Sequence, residues 1–178
     1  MRTILVLTAL LLAATTTGQS APLPSCSIQK AREVSFRNAT AKDVLEVSIG
    51  TGPCYHSTLT IVIRTRDEGH ILYSYVQQFG QHVIATSESP ELITEAKHFV
   101  DGLLARGLIS TDTLPPWKPA EEYEQEHQST LNVTREVYED LRAKPRPMFS
   151  HPTYHEGWKS VVYDDKAHEL VEVLSGGV

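Results

Sequence analysis

Two cysteines, eight histidines and a pair of closely spaced tyrosines carry most of the side-chain types in this 178-residue sequence that could do chemistry. Cys54 stands two residues before His56 in "GPCYHS". On a strand, positions i and i+2 share a face, which would set a thiol beside an imidazole able to take its proton. The competing reading joins Cys54 to Cys26, the only other cysteine. An even count leaves no spare thiol, and an exported chain meets an oxidising compartment. Closing the loop between positions 26 and 54 removes unfolded-state entropy worth roughly 3.6 kcal/mol in the simple chain picture. The disulfide is the expectation, because the nucleophile reading leaves Cys26 without a role.

The histidines are scattered. His151 and His155 lie four apart in "HPTYH", but Pro152 denies them the helix on which that spacing grips zinc, and no Glu stands between them. His56 and His70 fall near opposite ends of neighbouring strands, and His82 belongs to the next strand. His56, His70, His151 and His155 are the residues to nominate for a hydrolase site assembled from separate segments with carboxylates. No G-x-S-x-G elbow occurs, and "GTG" at 50–52 runs into Pro53 and Cys54 rather than a helix, so neither an esterase serine nor a phosphate loop is expected. The sequence calls for no metal and no cofactor.

Tyr73 and Tyr75 alternate in "HILYSYVQQF" and are expected to share a face with Ile71. They either cap an apolar core or form a contact patch, for which a large ring with a water-tolerant hydroxyl is well suited. Two triplets, "NAT" at Asn38 and "NVT" at Asn132, would accept glycans in a eukaryotic secreted chain and stay bare in a bacterial periplasm.

Residues 1–20 read as a signal peptide: Arg2, an uncharged and mostly aliphatic run from Ile4 to Ala14, then small residues at Gly18 and Ser20 before the expected cut. The run is shorter than the ~20 residues needed to cross a bilayer, and no later stretch replaces it. Removing 1–20 takes away Arg2 and no acid, so the net charge of −6 becomes −7 over residues 21–178. That balance repels phosphate backbones and anionic lipid surfaces, so nucleic acid and membranes are not expected as partners.

The elements that must position these groups change character along the chain. Val34 and Phe36 alternate in "REVSFRN", and Leu45, Val47 and Ile49 alternate against Val44, Glu46 and Ser48 in "DVLEVSIG", with "ATAKD" turning a first hairpin between them. After "GTGP", "HSTLTIVIRTR" sets Leu59, Ile61 and Ile63 against Thr58, Thr60, Val62, Arg64 and Arg66. "RDEG" supplies a turn with Gly69 at a positive φ, the tyrosine strand returns, and "QHVIAT" reads as one more short strand. The period then becomes helical in "SESPELITEAKHFVDGLLARG", with Ser89 as N-cap, Pro90 in the first turn, an apolar face through Leu92, Ala96, Phe99 and Leu103, and Gly107 closing it.

Three prolines make "LISTDTLPPWKP" a connector. Beyond it, Val133, Val137 and Leu141 recur every fourth residue, predicting one bent helix or two short ones broken near 129–132, with Glu121, Glu122, Glu124 and Glu126 as a solvated face. "PRPMFSHPTYHEG" reads as irregular, and "WKSVVYDDKAHELVEVLSGG" as a final hairpin completing the sheet begun at the other end of the chain.

These readings give a single α+β domain over 21–178: a mainly antiparallel sheet of about five to seven strands, one well-defined central helix and a second bent or broken acidic helix. Three functions follow, in order. The first is a secreted or periplasmic binding protein, inhibitor-like in outline, that recognises a small molecule or a protein with a basic surface through its sheet face and proline-rich connectors. The second is the histidine and carboxylate hydrolase. The third is a structural or assembly component of the envelope.

Overall fold

The computed structural model of the chain describes residues 25–85, 88–127 and 129–177; the expected signal peptide lies outside them. The fold is α+β, with two antiparallel sheets and three helices. Strands β1 (Ser25–Val34), β2 (Asp43–Pro53), β3 (Thr58–Thr65) and β4 (Ile71–Gln78) form a meander in chain order. Alternation sets its faces: Leu45, Val47, Ile49, Leu59, Ile61 and Ile63 are fully buried, while Glu46 on the outer face meets Gln29 and Arg64. Burying each such aliphatic side chain stabilises the fold by about 1.5–3 kcal/mol.

Helix α1 (Glu91–Arg106) covers the β1 and β2 half of the inner face with Leu92, Ala96, Val100 and Leu103. Pro90 already has helical angles, and no side chain caps the helix start. Gly107 follows the last turn as expected, but for a different reason. Its φ of −67° is ordinary; what demands glycine is space, since a Cβ there would lie 2.6 Å from the Leu103 carbonyl oxygen and 2.7 Å from the Phe149 ring.

The second half of the chain builds its own sheet. It contains β5 (Leu108–Ser110), helix α2 (Ala120–His127), β6 (Ser129–Leu131), helix α3 (Arg135–Ala143), β7 (Pro147–Pro152), β8 (Trp158–Asp164) and β9 (Glu169–Gly176), with strands in the order β5-β7-β8-β9-β6. One face sends Phe149, Val161, Tyr163 and Leu170 into the core beneath the meander. The other sends Met148, Val162, Val173 and Leu174 against Tyr123 of α2 and Tyr138 and Leu141 of α3. The second sheet is thus the middle layer, apolar on both faces.

Several expectations need correcting. The C-terminal hairpin does not complete the first sheet; it is the heart of the second. "PRPMFSHP" is not irregular but contains β7, whose two prolines sit at its ends, opposite Ser110 and Trp158, while the four residues between them pair normally. The connector after α1 contains a three-residue edge strand. "QHVIAT" is not a strand: β4 ends in a 3₁₀ turn at Phe79–His82, and Thr86 lies outside the described residues. The meander runs straight through "GTGP" to Pro53 and turns only at Cys54–His56. The acidic segment does break into two helices, with β6 in the break. Glu121, Glu122 and Glu124 are exposed, and the side chain of Glu126 lies outside the described part.

Candidate functional site

Tyr73 and Tyr75 pair with Ile63 and Ile61 and so face the core from the edge of the meander. Ile71 does not share their face. The register shifts between Ile63 and Arg64, so Leu72 turns inward and Ile71 lies opposite Arg64 on the outer side, 56% exposed.

Across from the tyrosines, β7 places Phe149 and His151 on one face by its two-residue repeat, with their rings stacked at 5.4 Å. His151 Nδ1 lies 2.8 Å from the Pro152 carbonyl oxygen and Nε2 lies 2.6 Å from Tyr73 Oη. A carbonyl can only accept, so Nδ1 carries the proton and Nε2 accepts from the phenol. Tyr75 Oη donates to the Thr153 carbonyl at 2.6 Å, and Lys159 Nζ stands 5.3 Å from the centre of its ring. Both tyrosines therefore clasp one sheet to the other.

His82, which nothing in the sequence set apart, completes this cluster. It is buried against Phe99 of α1 and edge-on to Tyr75, and neither ring nitrogen has a hydrogen-bond partner among the described residues. Burial pulls it down to about 4. His151 also falls to about 4, chiefly by burial, with the Pro152 carbonyl opposing and Lys159 and His82 reinforcing the change. Both imidazoles are neutral near pH 7. Burial raises the phenols of Tyr73 and Tyr75, so they act as hydrogen-bond donors and not as phenolates.

The other nominated histidines share none of these ring contacts, although the His155 N–H donates to the Gln81 carbonyl beside His82 at 2.8 Å. His56 is exposed and meets Gln78 at 3.2 Å. His70 is exposed in the β3–β4 turn, where its backbone bonds to Thr65. His155 is exposed, 3.4 Å from Glu156. Cys54 is bonded to Cys26, with Cα atoms 4.9 Å apart, so it offers no thiolate. The Glu88 carboxylate accepts from the backbone N–H groups of Cys54 and Tyr55 at 2.9 and 2.8 Å, fastening the approach to α1 onto the disulfide corner. Among the described residues no group of three or more His, Cys, Asp or Glu could hold a metal ion.

Open space lies elsewhere. A cleft of about 620 Å³ runs between α3 and the β8–β9 turn. Its floor is Leu141, Val162 and Val171, with Val137 rising from α3 at 38% exposure. The rim carries Glu136, Glu139, Asp140, Asp164 and Asp165 against Lys144, Arg146 and Lys166. Asp140 holds Lys144 at 2.6 Å and Arg146 at 3.5 Å, and Asp165 faces Arg146 at 3.6 Å. The hydrogen bond from Lys144, followed by the charges of Lys144, Arg146 and Lys166, keeps the Asp140 carboxyl below its ordinary range.

The connector between α3 and β7, "KPRP", is held by buried Thr111. Its hydroxyl donates to the Leu141 carbonyl at 2.7 Å and accepts from the Arg146 N–H at 3.0 Å, and its own N–H reaches the Arg146 carbonyl at 3.0 Å. Arg146 and its flanking prolines also line two smaller concavities of about 450 and 420 Å³, one beside Phe36 and one beside Leu108. Sequence reasoning pointed to Val137 and Leu141 as a helix face and to the prolines as a connector. It had no signal for Thr111.

No protein family matches the sequence, and no characterised protein or solved structure is significantly similar to it.

Proposed function

We propose that this is an exported binding protein that takes a cationic, partly apolar segment of another protein into the cleft between α3 and the β8–β9 turn. One observation carries the reading: this cleft combines an exposed Val137 beside an apolar floor with a rim of five acids against three cations. Apolar contact supplies area, and the excess of negative charge favours a basic partner. The Cys26–Cys54 bond supports an oxidising destination, secreted or periplasmic. The hydrolase reading has less support, since His151 spends both ring nitrogens on Tyr73 and Pro152 while His56, His70 and His155 stand exposed.

The test is a titration of isotope-labelled protein with short peptides that alternate lysine or arginine with leucine, followed by amide chemical shifts at low and at physiological salt. Shifts concentrated at 136–146 and 162–171, weakened by salt and abolished by Val137→Asp, are the expected result. Shifts absent from the cleft at low salt would overturn the proposal.

A further inference from the structure

The two glycan-acceptor triplets differ in a way the sequence does not show. Asn38 lies at the tip of the loop joining β1 to β2, where Asn38, Ala39 and Thr40 are all exposed. The loop is fixed from below: the buried Asp43 carboxylate accepts from the N–H groups of Phe36 and Arg37 and from Arg37 Nε at 2.8 Å. Asn38 Oδ1 accepts three bonds, from Thr40 N at 3.0 Å, Thr40 Oγ1 at 2.8 Å and Ala41 N at 2.8 Å. Those bonds hold the carbonyl side of the amide inward and leave Nδ2 without a partner among the described residues, turned to solvent. Three donors on the oxygen also draw electron density from the amide and make its N–H easier to deprotonate.

Asn132 presents the opposite arrangement. Its Nδ2 donates to Glu172 Oε1 at 2.8 Å and to Ser175 Oγ at 2.9 Å, both on β9, while its backbone N–H bonds to the Val173 carbonyl. Both amide protons are therefore committed to the strand beside it. A sugar on that nitrogen would have to displace Glu172, which also pairs with Lys159, or Ser175.

We infer that Asn38 is an N-glycan acceptor and that folding withdraws Asn132 from the same reaction, an inference that rests on export through a glycosylating secretory pathway. The donor is an oligosaccharide linked through pyrophosphate to a lipid. The Asn38 amide nitrogen forms a C–N bond to C1 of the first sugar as the C–O bond to pyrophosphate breaks. The lipid pyrophosphate leaves with the bonding electron pair, and the amide proton passes to a base of the transferase. The glycan then projects from the β1–β2 end of the meander.

The full chain with its own leader is expressed in secreting eukaryotic cells, and protein from the medium is treated with peptide N-glycosidase in ¹⁸O water. Peptide mass spectrometry then reads occupied sites as Asn converted to labelled Asp. Label at Asn38 in most molecules and at Asn132 in at most a tenth as many supports the inference, as does a several-fold rise at Asn132 in Glu172→Ala/Ser175→Ala protein. Exported protein bare at Asn38, or equally labelled at both positions, overturns it while leaving export intact. Protein that stays in the cytosol with residues 1–20 attached overturns export and the glycan together.

Discussion

The hydroxyl of Tyr73 donates to Nε2 of His151 at 2.6 Å across the gap between the two sheets. The partners are 78 positions apart in the chain, on β4 of the first sheet and β7 of the second. Because His151 is buried, removing the donor strands an acceptor out of reach of water. Tyr73→Phe is therefore expected to destabilise the protein by about 1–3 kcal/mol, the cost of an unsatisfied buried group. Urea unfolding checks this; an unchanged midpoint would show that the bond contributes nothing.

Acidification should act through the two buried imidazoles. His82 and His151 titrate near 4 in the folded chain, against an ordinary value of 6.5. Above pH 6.5 both states hold them neutral, and stability is independent of these groups. Between 6.5 and about 4 the unfolded chain binds protons that the folded chain refuses, so stability falls as pH falls, by on the order of 2–3 kcal/mol per imidazole before it levels off. Replacing His82, whose nitrogens have no partner to lose, with Phe should flatten that slope. Thermal melts of both proteins at pH 7.5, 6 and 4.5 make the comparison, and a parallel decline in the two would remove His82 from the account.

Gly107→Ala separates two explanations of a helix-terminal glycine. With φ at −67°, alanine would be expected to stabilise by about 0.4–1 kcal/mol through the unfolded chain if there were room for it. The close approach of the Leu103 carbonyl, Phe149 and the Ser150 carbonyl leaves none, so the expected outcome is a loss of about 1–3 kcal/mol from overpacking. The sign of the change in the denaturation midpoint decides.

Cys54→Ser should cost roughly 2–4 kcal/mol and expose Cys26 to alkylation, because the bond chiefly restricts the unfolded chain. Amide spectra of the variant should retain the cleft shifts caused by basic peptides, since α3 and the β8–β9 turn are far along the chain from the bond. Two free thiols in unreduced, correctly folded protein would contradict the pairing seen here.

The first sheet was legible because its strands are half-buried. Leu59, Ile61 and Ile63 alternate cleanly against residues that face water, and the two-residue period follows directly from that environment. The second sheet is a middle layer with apolar contacts on both faces, so Met148 beside Phe149, and Val161 beside Val162, carry no alternation to read. Its edge strands β5 and β6 are three residues each, below the length at which any period is visible, and Pro147 and Pro152 gave a loop signal at positions that proved to be strand ends. At the candidate sites, Tyr73 and Tyr75 drew notice as a pair and His151 beside His155, but nothing local could say that the tyrosines and His151 meet. His82 and Thr111 owe their importance to burial by elements that reach them from elsewhere in the chain, which no neighbouring residue announces.

The meander has an implication for the order in which the molecule is made. Every strand of the first sheet pairs with its neighbour in the chain, through turns that close within the segment, whereas in the second sheet β5 waits for β7 and β6 at the far edge waits for β9, the last strand of the order. Local pairing closes faster than pairing across long loops. As the chain emerges from its N-terminus, residues 25–78 can complete their ladders and bring Cys26 beside Cys54 while β7 to β9 have yet to be synthesised. The first sheet then becomes a template. Its exposed row of Ile61, Ile63, Tyr73 and Tyr75 waits for a complementary surface, so a chain arrested or truncated before β7 would hold an open apolar face and two unpaired phenol hydroxyls, the form most in need of a chaperone.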